Sequence, residues 1–236
     1  QPGVDEVRVE EFRADLSSSW APLSELVLSL DVPLAIRATT DANLARSGSR
    51  GLGEIELRAK WFLWRDRAFA PRWLAAALVT TKLPTAAWYR DAQGRELPPE
   101  AQPGTGSLDG GWGASMAGFF GALSGYAALL FRTPLETRAA YRPGSAADAT
   151  LSLQIQAAQW GAVRGVGALR WDGTAREGGQ LDPDSGGLIA LAGADVLLGI
   201  GVDSQLALGF RLPMVSHSNG AQREGARIGL ALMSDW

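Results

Sequence analysis

Cysteine is absent from the 236 residues, histidine occurs once, lysine occurs only as Lys60 and Lys82, and charged residues make up just 20% of the chain. Without thiols there is no disulfide framework, no Cys-ligated zinc and no thiol nucleophile. A net charge of −3 withholds the basic footprint of a DNA or RNA binder, so nucleic acid is not an expected partner. The 29 glycines lack the every-third spacing of collagen, and 46% apolar residues is too many for a disordered chain. A chain this long can bury a sizeable core without covalent staples, and residues 1–236 read as one domain.

No segment reads as an amphipathic helix, and the one candidate membrane helix fails on inspection. Gly110 to Phe131 carries no charge over 22 residues, enough to span a bilayer. Six of those residues are glycine, each costing a helix interior about 1 kcal/mol relative to Ala. Trp112, Ala114, Met116, Gly118 and Phe120 fall on one side, and Gly113, Ser115, Ala117 and Phe119 on the other. That is a strand period, and Gly121 to Gly125 supplies the turn of a hairpin.

Period two recurs along the chain. Leu26, Leu28, Leu30, Val32, Leu34 and Ile36 alternate with Glu25, Ser29, Asp31 and Arg37, and Ile55, Leu57, Ala59, Trp61 and Leu63 alternate with Glu54, Glu56, Arg58 and Lys60. Leu151 to Ala157, Leu206 to Met214 and Ile228 to Trp236 behave alike. Strands are expected near 5–16, 24–38, 52–65, 72–86, 107–121, 125–140, 149–160, 162–173, 186–200, 204–215 and 225–236. Short turns alternate with longer polar loops at Thr39–Gly51, Ala87–Gly106, Tyr141–Asp148, Gly173–Ser185 and Ser216–Glu224, the asymmetry of an outer-membrane barrel. Trp and Tyr gather at membrane–water interfaces. In this layout Trp20, Trp61, Trp64, Trp73, Trp160 and Trp236 fall toward the short turns, and Trp88, Trp112 and Trp171 toward the long loops. A soluble sandwich would also alternate, but gives no reason for two aromatic belts. The expected fold is all-β, a transmembrane antiparallel up-and-down β-barrel with the lipid bilayer as partner. Twelve strands are expected, eleven of them located, because an unpaired edge in lipid leaves backbone groups unsatisfied. Counting back from a periplasmic Trp236 puts Gln1 outside the cell, so a first strand before Gln1, a missed strand or another polypeptide is expected to close the barrel.

The face opposite the apolar stripe carries Glu25, Asp31, Arg37, Glu54, Glu56, Arg58, Lys60, Lys82, Arg132, Glu136, Arg138, Arg164, Arg170, Asp172, Arg211 and Arg227. These are the expected lumen-lining residues. Eight-stranded barrels are filled by side chains and those of 16 or more enclose water, so twelve strands leave open both a selective pore and a plugged ladder of ion pairs. The loop Ala87–Gly106, with Pro98, Pro99 and Pro103, is expected to restrict the entrance. His217, within Ser216-His-Ser-Asn-Gly220, lacks a Gly-x-Ser-x-Gly elbow and reads as an exposed loop residue. Asp182-Pro-Asp184-Ser-Gly186 lacks the later Glu of a calcium loop and reads as a turn. No metal, cofactor or catalysis is expected.

Several segments taken together resemble a known family: Gly51-Leu-Gly-Glu-Ile-Glu-Leu-Arg-Ala-Lys60, Lys82-Leu-Pro-Thr85, Gly104-Thr-Gly-Ser-Leu-Asp109, Tyr141-Arg-Pro-Gly144, and Leu212-Pro-Met-Val215 followed by Asn219-Gly-Ala-Gln222. In order and spacing they are similar to Gram-negative outer-membrane barrels described as transporter-like and related to the MetA-pathway phenol-degradation proteins. The resemblance covers most of the chain from Trp20 onward. Trp236, preceded by Leu232, Leu230 and Ile228, looks like the C-terminal signal read by the barrel-assembly machinery, although Ser234 departs from it. The resemblance implies an outer-membrane location and a transporter-like barrel, its substrates poorly defined; the expected function is a narrow channel or transporter-like protein that admits small, hydrophobic or aromatic molecules. The rival expectation is a non-conducting barrel that anchors envelope protein partners.

Overall fold

A computed structural model describes residues 8–40, 46–90, 93–94, 96–97, 101–137, 141–200, 203–219 and 224–234. Arg138, Pro98, Pro99 and Trp236 lie outside the described residues. Fifteen strands follow one another: β1 (Arg8–Leu23), β2 (Leu26–Thr40), β3 (Arg46–Leu52), β4 (Glu56–Arg65), β5 (Trp73–Lys82), β6 (Ser107–Phe120), β7 (Leu123–Thr137), β8 (Tyr141–Arg142), β9 (Ala146–Ala158), β10 (Gly161–Asp172), β11 (Arg176–Glu177), β12 (Gln180–Leu181), β13 (Gly187–Ile200), β14 (Ser204–Ser218) and β15 (Arg227–Ser234).

Eleven of them form one continuous antiparallel meander, ordered β1-β2-β4-β5-β6-β7-β9-β10-β13-β14-β15, which curls into a half-barrel. Each of these eleven overlaps a strand expected from alternation, with β1 running on to Leu23 instead of ending at 16 and β14 to Ser218 instead of 215. The uncharged run Gly110 to Phe131 is the β6–β7 hairpin, with Phe120 opposite Leu123 and Gly121 at φ +63° in the turn, a left-handed conformation that glycine adopts without strain. Among the described residues no helix is long and apolar enough to cross a membrane.

The structure departs from the expectation at β3, which runs through residues read as loop. It pairs only with the far end of β2, from Leu34↔Leu52 to Thr40↔Arg46. Its Ser47-Gly-Ser-Arg-Gly51 sequence has no apolar stripe, and one position in its ladder with β2 leaves no room for a side chain. A Cβ on Gly48 would sit 2.8 Å from the Arg37 carbonyl oxygen. The twelfth member of the sheet is thus a branch at the rim, not a closing strand. Among the described residues no ladder joins β1 to β15. With eleven strands alternating in direction, these two edges run the same way.

Cross-strand register decides which face each residue takes. The row Val27, Lys60, Leu78, Gly113, Leu130, Asp148, Arg170 and Ile189 lies on one face, and the row Leu28, Ala59, Val79, Trp112, Phe131, Ala147, Trp171 and Leu188 on the other. The first face is concave and holds the buried residues Ala76, Leu78, Thr80, Ser115, Asp195, Leu197 and Ala207. The second is convex and leaves Phe12, Leu16, Trp112, Leu129, Leu151, Leu208, Leu230 and many other large apolar side chains exposed. Apolar surface on this scale is a liability in water, whereas a strand barrel in lipid requires it.

Candidate functional site: the concave face

At the long-loop end the segment between β5 and β6 turns into the concavity instead of away from it. Gln102 is fully buried and closes the segment on itself, accepting from the Tyr89 N–H at 2.8 Å and donating to the Tyr89 and Leu97 carbonyls at 2.9 Å each. The barrel wall holds it from outside, with Arg37 donating to the Gln102 carbonyl and the Ser49 hydroxyl to the Ala101 carbonyl. The base of the segment is an ionic knot. Lys82 Nζ lies 2.7 Å from both Glu54 Oε2 and Asp109 Oδ2 and donates to the hydroxyls of Thr105 and Ser107 at 2.6 and 3.3 Å. Glu54, its side chain 6% exposed, also accepts from the Gly106 N–H. A Cβ on Gly104 would fall 2.6 Å from Glu54 Cγ, so only glycine lets the chain pass so close to the wall. One cation between two carboxylates leaves this end with a formal charge of −1.

Along the wall, opposite charges face each other. Arg37 pairs with Glu11 at 2.7 Å, Arg58 with Glu56 at 2.9 Å and with Asp31 at 3.7 Å, and Arg170 with Asp172 at 2.8 Å. Arg132 pairs with Asp148. Nearer the short turns, Asp195 is 4% exposed and accepts from two guanidiniums, Arg164 at 2.7 Å and Arg211 at 2.6 Å. Two cations around one carboxylate leave +1 there.

A cavity of about 380 Å³ opens at the short-turn end of the concave face. Lys60 and Arg164 line it, together with Phe62, Phe119, Tyr126, Ser152 and Gln154 among others, and no carboxylate does. Lys60 Nζ lies 5.0 Å from the centroid of the Phe62 ring and 5.4 Å from that of Tyr126, within cation–π range. Among the described residues it has neither an ion pair nor a hydrogen bond.

Of the residues expected in the lumen, two sit elsewhere among the described residues. Glu25 is in the turn between β1 and β2, 3.7 Å from Arg65. Glu136 is exposed opposite Leu108, since the ladder shifts register at Leu108/Asp109. Arg227 keeps the concave face, opposite Arg211 on the edge strand β15, and pairs with Glu224 at 2.7 Å. The residues that alternation overlooks are those of the inward segment, Ala101, Gln102 and Ser107, and the aromatic trio Phe62, Tyr126 and Phe119. Phe62 shares parity with Lys60, which is the signal that could have found it.

The convex aromatics sort by strand end. Trp73 packs edge-on against Phe120, ring centroids 5.1 Å apart, near the short turns, and Trp112 lies 5.9 Å from Phe131 near the long loops. A register shift between Phe62 and Trp64 brings Trp61 and Trp64 to the same exposed face despite their opposite parity. Trp20, Trp160 and Trp171 are exposed as well. Trp88 departs from the expected belt. It belongs to the inward segment, its indole N–H buried without a partner, against Gly106, whose φ of +67° leaves room for the ring. His217 is exposed on β14, not in a loop. Asp182 spends its carboxylate on the Asp184 N–H at 3.1 Å, as a turn residue does.

No family model matches the sequence, and no curated protein does. Among solved structures, the chain is similar to an outer membrane channel from Pseudomonas putida F1, with a TM-score of 0.68 and 13% identity over 96% of this chain and 82% of that one. At that identity the likeness is one of fold, an outer-membrane β-barrel fold. It does not touch the MetA-pathway relation, which stays with the sequence motifs.

Proposed function

We propose that this chain is an outer-membrane β-barrel of a Gram-negative bacterium that admits small molecules through its lumen. The observation that carries the reading is the unfilled cavity on the polar, concave face, below a constriction made by the inward segment, in a sheet whose convex face suits only lipid. The likeness in fold to an outer membrane channel supports it, and no step of it needs a cofactor or catalysis. One further strand, antiparallel to both β1 and β15, closes the barrel and satisfies the backbone groups of the two edges, which lipid cannot. That makes twelve. The Lys82 knot and Gln102 narrow the long-loop mouth, and the unpaired Lys60 sets the charge preference of the other end. The permeants are small molecules with hydrophobic or aromatic bodies.

The paired charges support a second reading, a non-conducting barrel that anchors envelope proteins, because neutralised side chains can fill a lumen of this width. Single-channel recording of the protein in a planar bilayer separates the two. Discrete current steps, with ion selectivity that moves toward cations in Arg58→Glu and Lys60→Glu, are expected of the channel. Silence from protein shown to be folded and inserted would refute it in favour of the scaffold.

A further inference from the structure

Lys60 is built into its place without the partner that the other concave-face cations have. Arg37, Arg58, Lys82, Arg132, Arg164, Arg170 and Arg211 each meet a carboxylate. Lys60 meets two aromatic rings instead. The cavity it lines contains a second cation, Arg164, half of whose neutralisation Asp195 shares with Arg211. Formally, Lys60 with the Asp195 cluster leaves +2 at the short-turn end, against −1 at the Lys82 knot and −1 for Asp31, Glu56 and Arg58. The concave face is polarised along its length, and its positive pole is a cavity.

From this arrangement we infer that the cavity is a binding site for a small aromatic monocarboxylate, an inference that rests on the channel reading and names the permeant class. The anionic group is drawn to Lys60, whose three N–H donors have no acceptor among the described residues, and hydroxyls or amides of Ser152, Tyr126 and Gln154 line the same space. A single anionic charge suits one unneutralised ammonium beside a partly neutralised guanidinium. An inorganic phosphate dianion would match the charge as well, but it has no ring to fill the apolar part of the cavity. The ring of the ligand fills the apolar part of the cavity, where Phe62 and Phe119 offer stacked or edge-on contacts. The volume, about 380 Å³, is within the range that holds a small molecule. A neutral aromatic alcohol would leave Lys60 unpaired, and a cationic amine would be repelled.

The test uses 4-fluorobenzoate and the neutral 4-fluorobenzyl alcohol with the full chain in lipid nanodiscs. Fluorine NMR line broadening reads binding without requiring conduction. Tighter binding of the acid than of the alcohol, by about tenfold, is expected from one charge-assisted contact. Lys60→Gln should abolish that difference, Lys60→Arg should retain most of it, and Tyr126→Leu should weaken both ligands. Equal binding of acid and alcohol by the unaltered protein overturns the inference whether or not any variant folds. So does an acid preference that survives in folded Lys60→Gln. Bilayer recordings on the same preparation keep the two readings apart. Current steps without an acid preference leave the channel standing and sink the site, and an acid preference without current leaves the site standing and sinks the channel.

Discussion

Replacing Lys82 with Met should release the inward segment, and the size of the effect can be worked from the geometry. Lys82 Nζ is 2.7 Å from a carboxylate oxygen on each side, so those oxygens are at most 5.4 Å apart (2.7 + 2.7). Two unit charges about 5 Å apart repel by about 3 kcal/mol at an effective dielectric of 20. Removing one partner of a buried pair costs about 3–5 kcal/mol. Here Thr105, Ser107 and Gly106 still donate to the two carboxylates, which pulls the expected loss toward 3 kcal/mol. The cheapest relief is for the strap from Leu83 to Gly106 to leave the wall. Urea unfolding followed by Trp fluorescence should therefore show a loss of about 3 kcal/mol. Trypsin should cut after Arg90 faster, and mean conductance should rise. Adding Glu54→Gln and Asp109→Asn removes the repulsion, so the triple variant should recover at least half of the stability. A Lys82→Met protein within 0.5 kcal/mol of the parent, its segment still protected, would refute the claim that this knot holds the constriction.

Asp195→Asn strands Arg164 and Arg211 beside each other in a half-wet lumen. A loss of about 1–3 kcal/mol in the same urea assay is expected, along with a shift of reversal potential toward anions, and an unchanged potential would count against the charge assignment at that end. Gly193→Ala would place a Cβ 1.9 Å from the Phe210 carbonyl oxygen. Backbone must move, so folding yield in a heat-modifiability gel should fall, with a cost of about 2 kcal/mol; full yield would mean that β13 and β14 pair differently. In the exposed turn after β4, the carboxylate of Asp66 is held below its usual range by hydrogen bonds from the Trp73 and Arg72 N–H groups. The folded form thus favours the charged state. Its contribution to turn order is full above the ordinary carboxylate range of about 3.9 and disappears as pH falls through the lower folded value. An NMR titration should place Asp66 below the model-peptide value, and a value at or above it would remove these bonds from the account.

Alternation made the eleven strands legible because the barrel imposes it twice: lipid selects one face and the crowded lumen the other, so every spanning strand has to alternate. It failed where that double selection lapses. β3 carries no stripe, since it pairs with β2 beyond the apolar belt, where lipid no longer selects one face, and only Gly48 is held small by the approach of β2. β13 is apolar on both faces, with Ile189, Leu191 and Leu197 turned inward, so parity alone cannot orient it. Bulges reset parity within a strand. That is why Trp64 joins Trp61 on the lipid side and Glu136 leaves the lumen; the first shift carries no Gly or Pro, whereas Pro134 marks the second, a signal that parity counting passes over. Trp88 was misread for a different reason. Aromatic residues in a loop near the interface satisfy the belt rule by position alone, and only the inward course of the strap, set by Gly104, Gly106 and the Lys82 knot, removes this one.

The pairing of lumen charges is compatible with permeation because of where it stops. A wall of neutral pairs such as Arg132–Asp148 and Arg170–Asp172 contributes no net field, though it keeps the surface polar and the side chains ordered. The field along the axis comes from the residues left over: a deficit of positive charge at the Lys82 knot and in the Asp31, Glu56, Arg58 trio, and an excess at Asp195 and Lys60. In a narrow, low-dielectric tube such residual charges are screened less than at an open surface. Changing one of them should move selectivity more than breaking any neutral pair. The comparison is direct. Lys60→Gln and Arg170→Gln remove the same formal charge, but the first halves the positive pole, whereas the second uncovers Asp172 at the long-loop side. Both shift the reversal potential toward cations. Only the first should also erase the preference for 4-fluorobenzoate over its alcohol, because only Lys60 stands in the cavity that the ligand occupies.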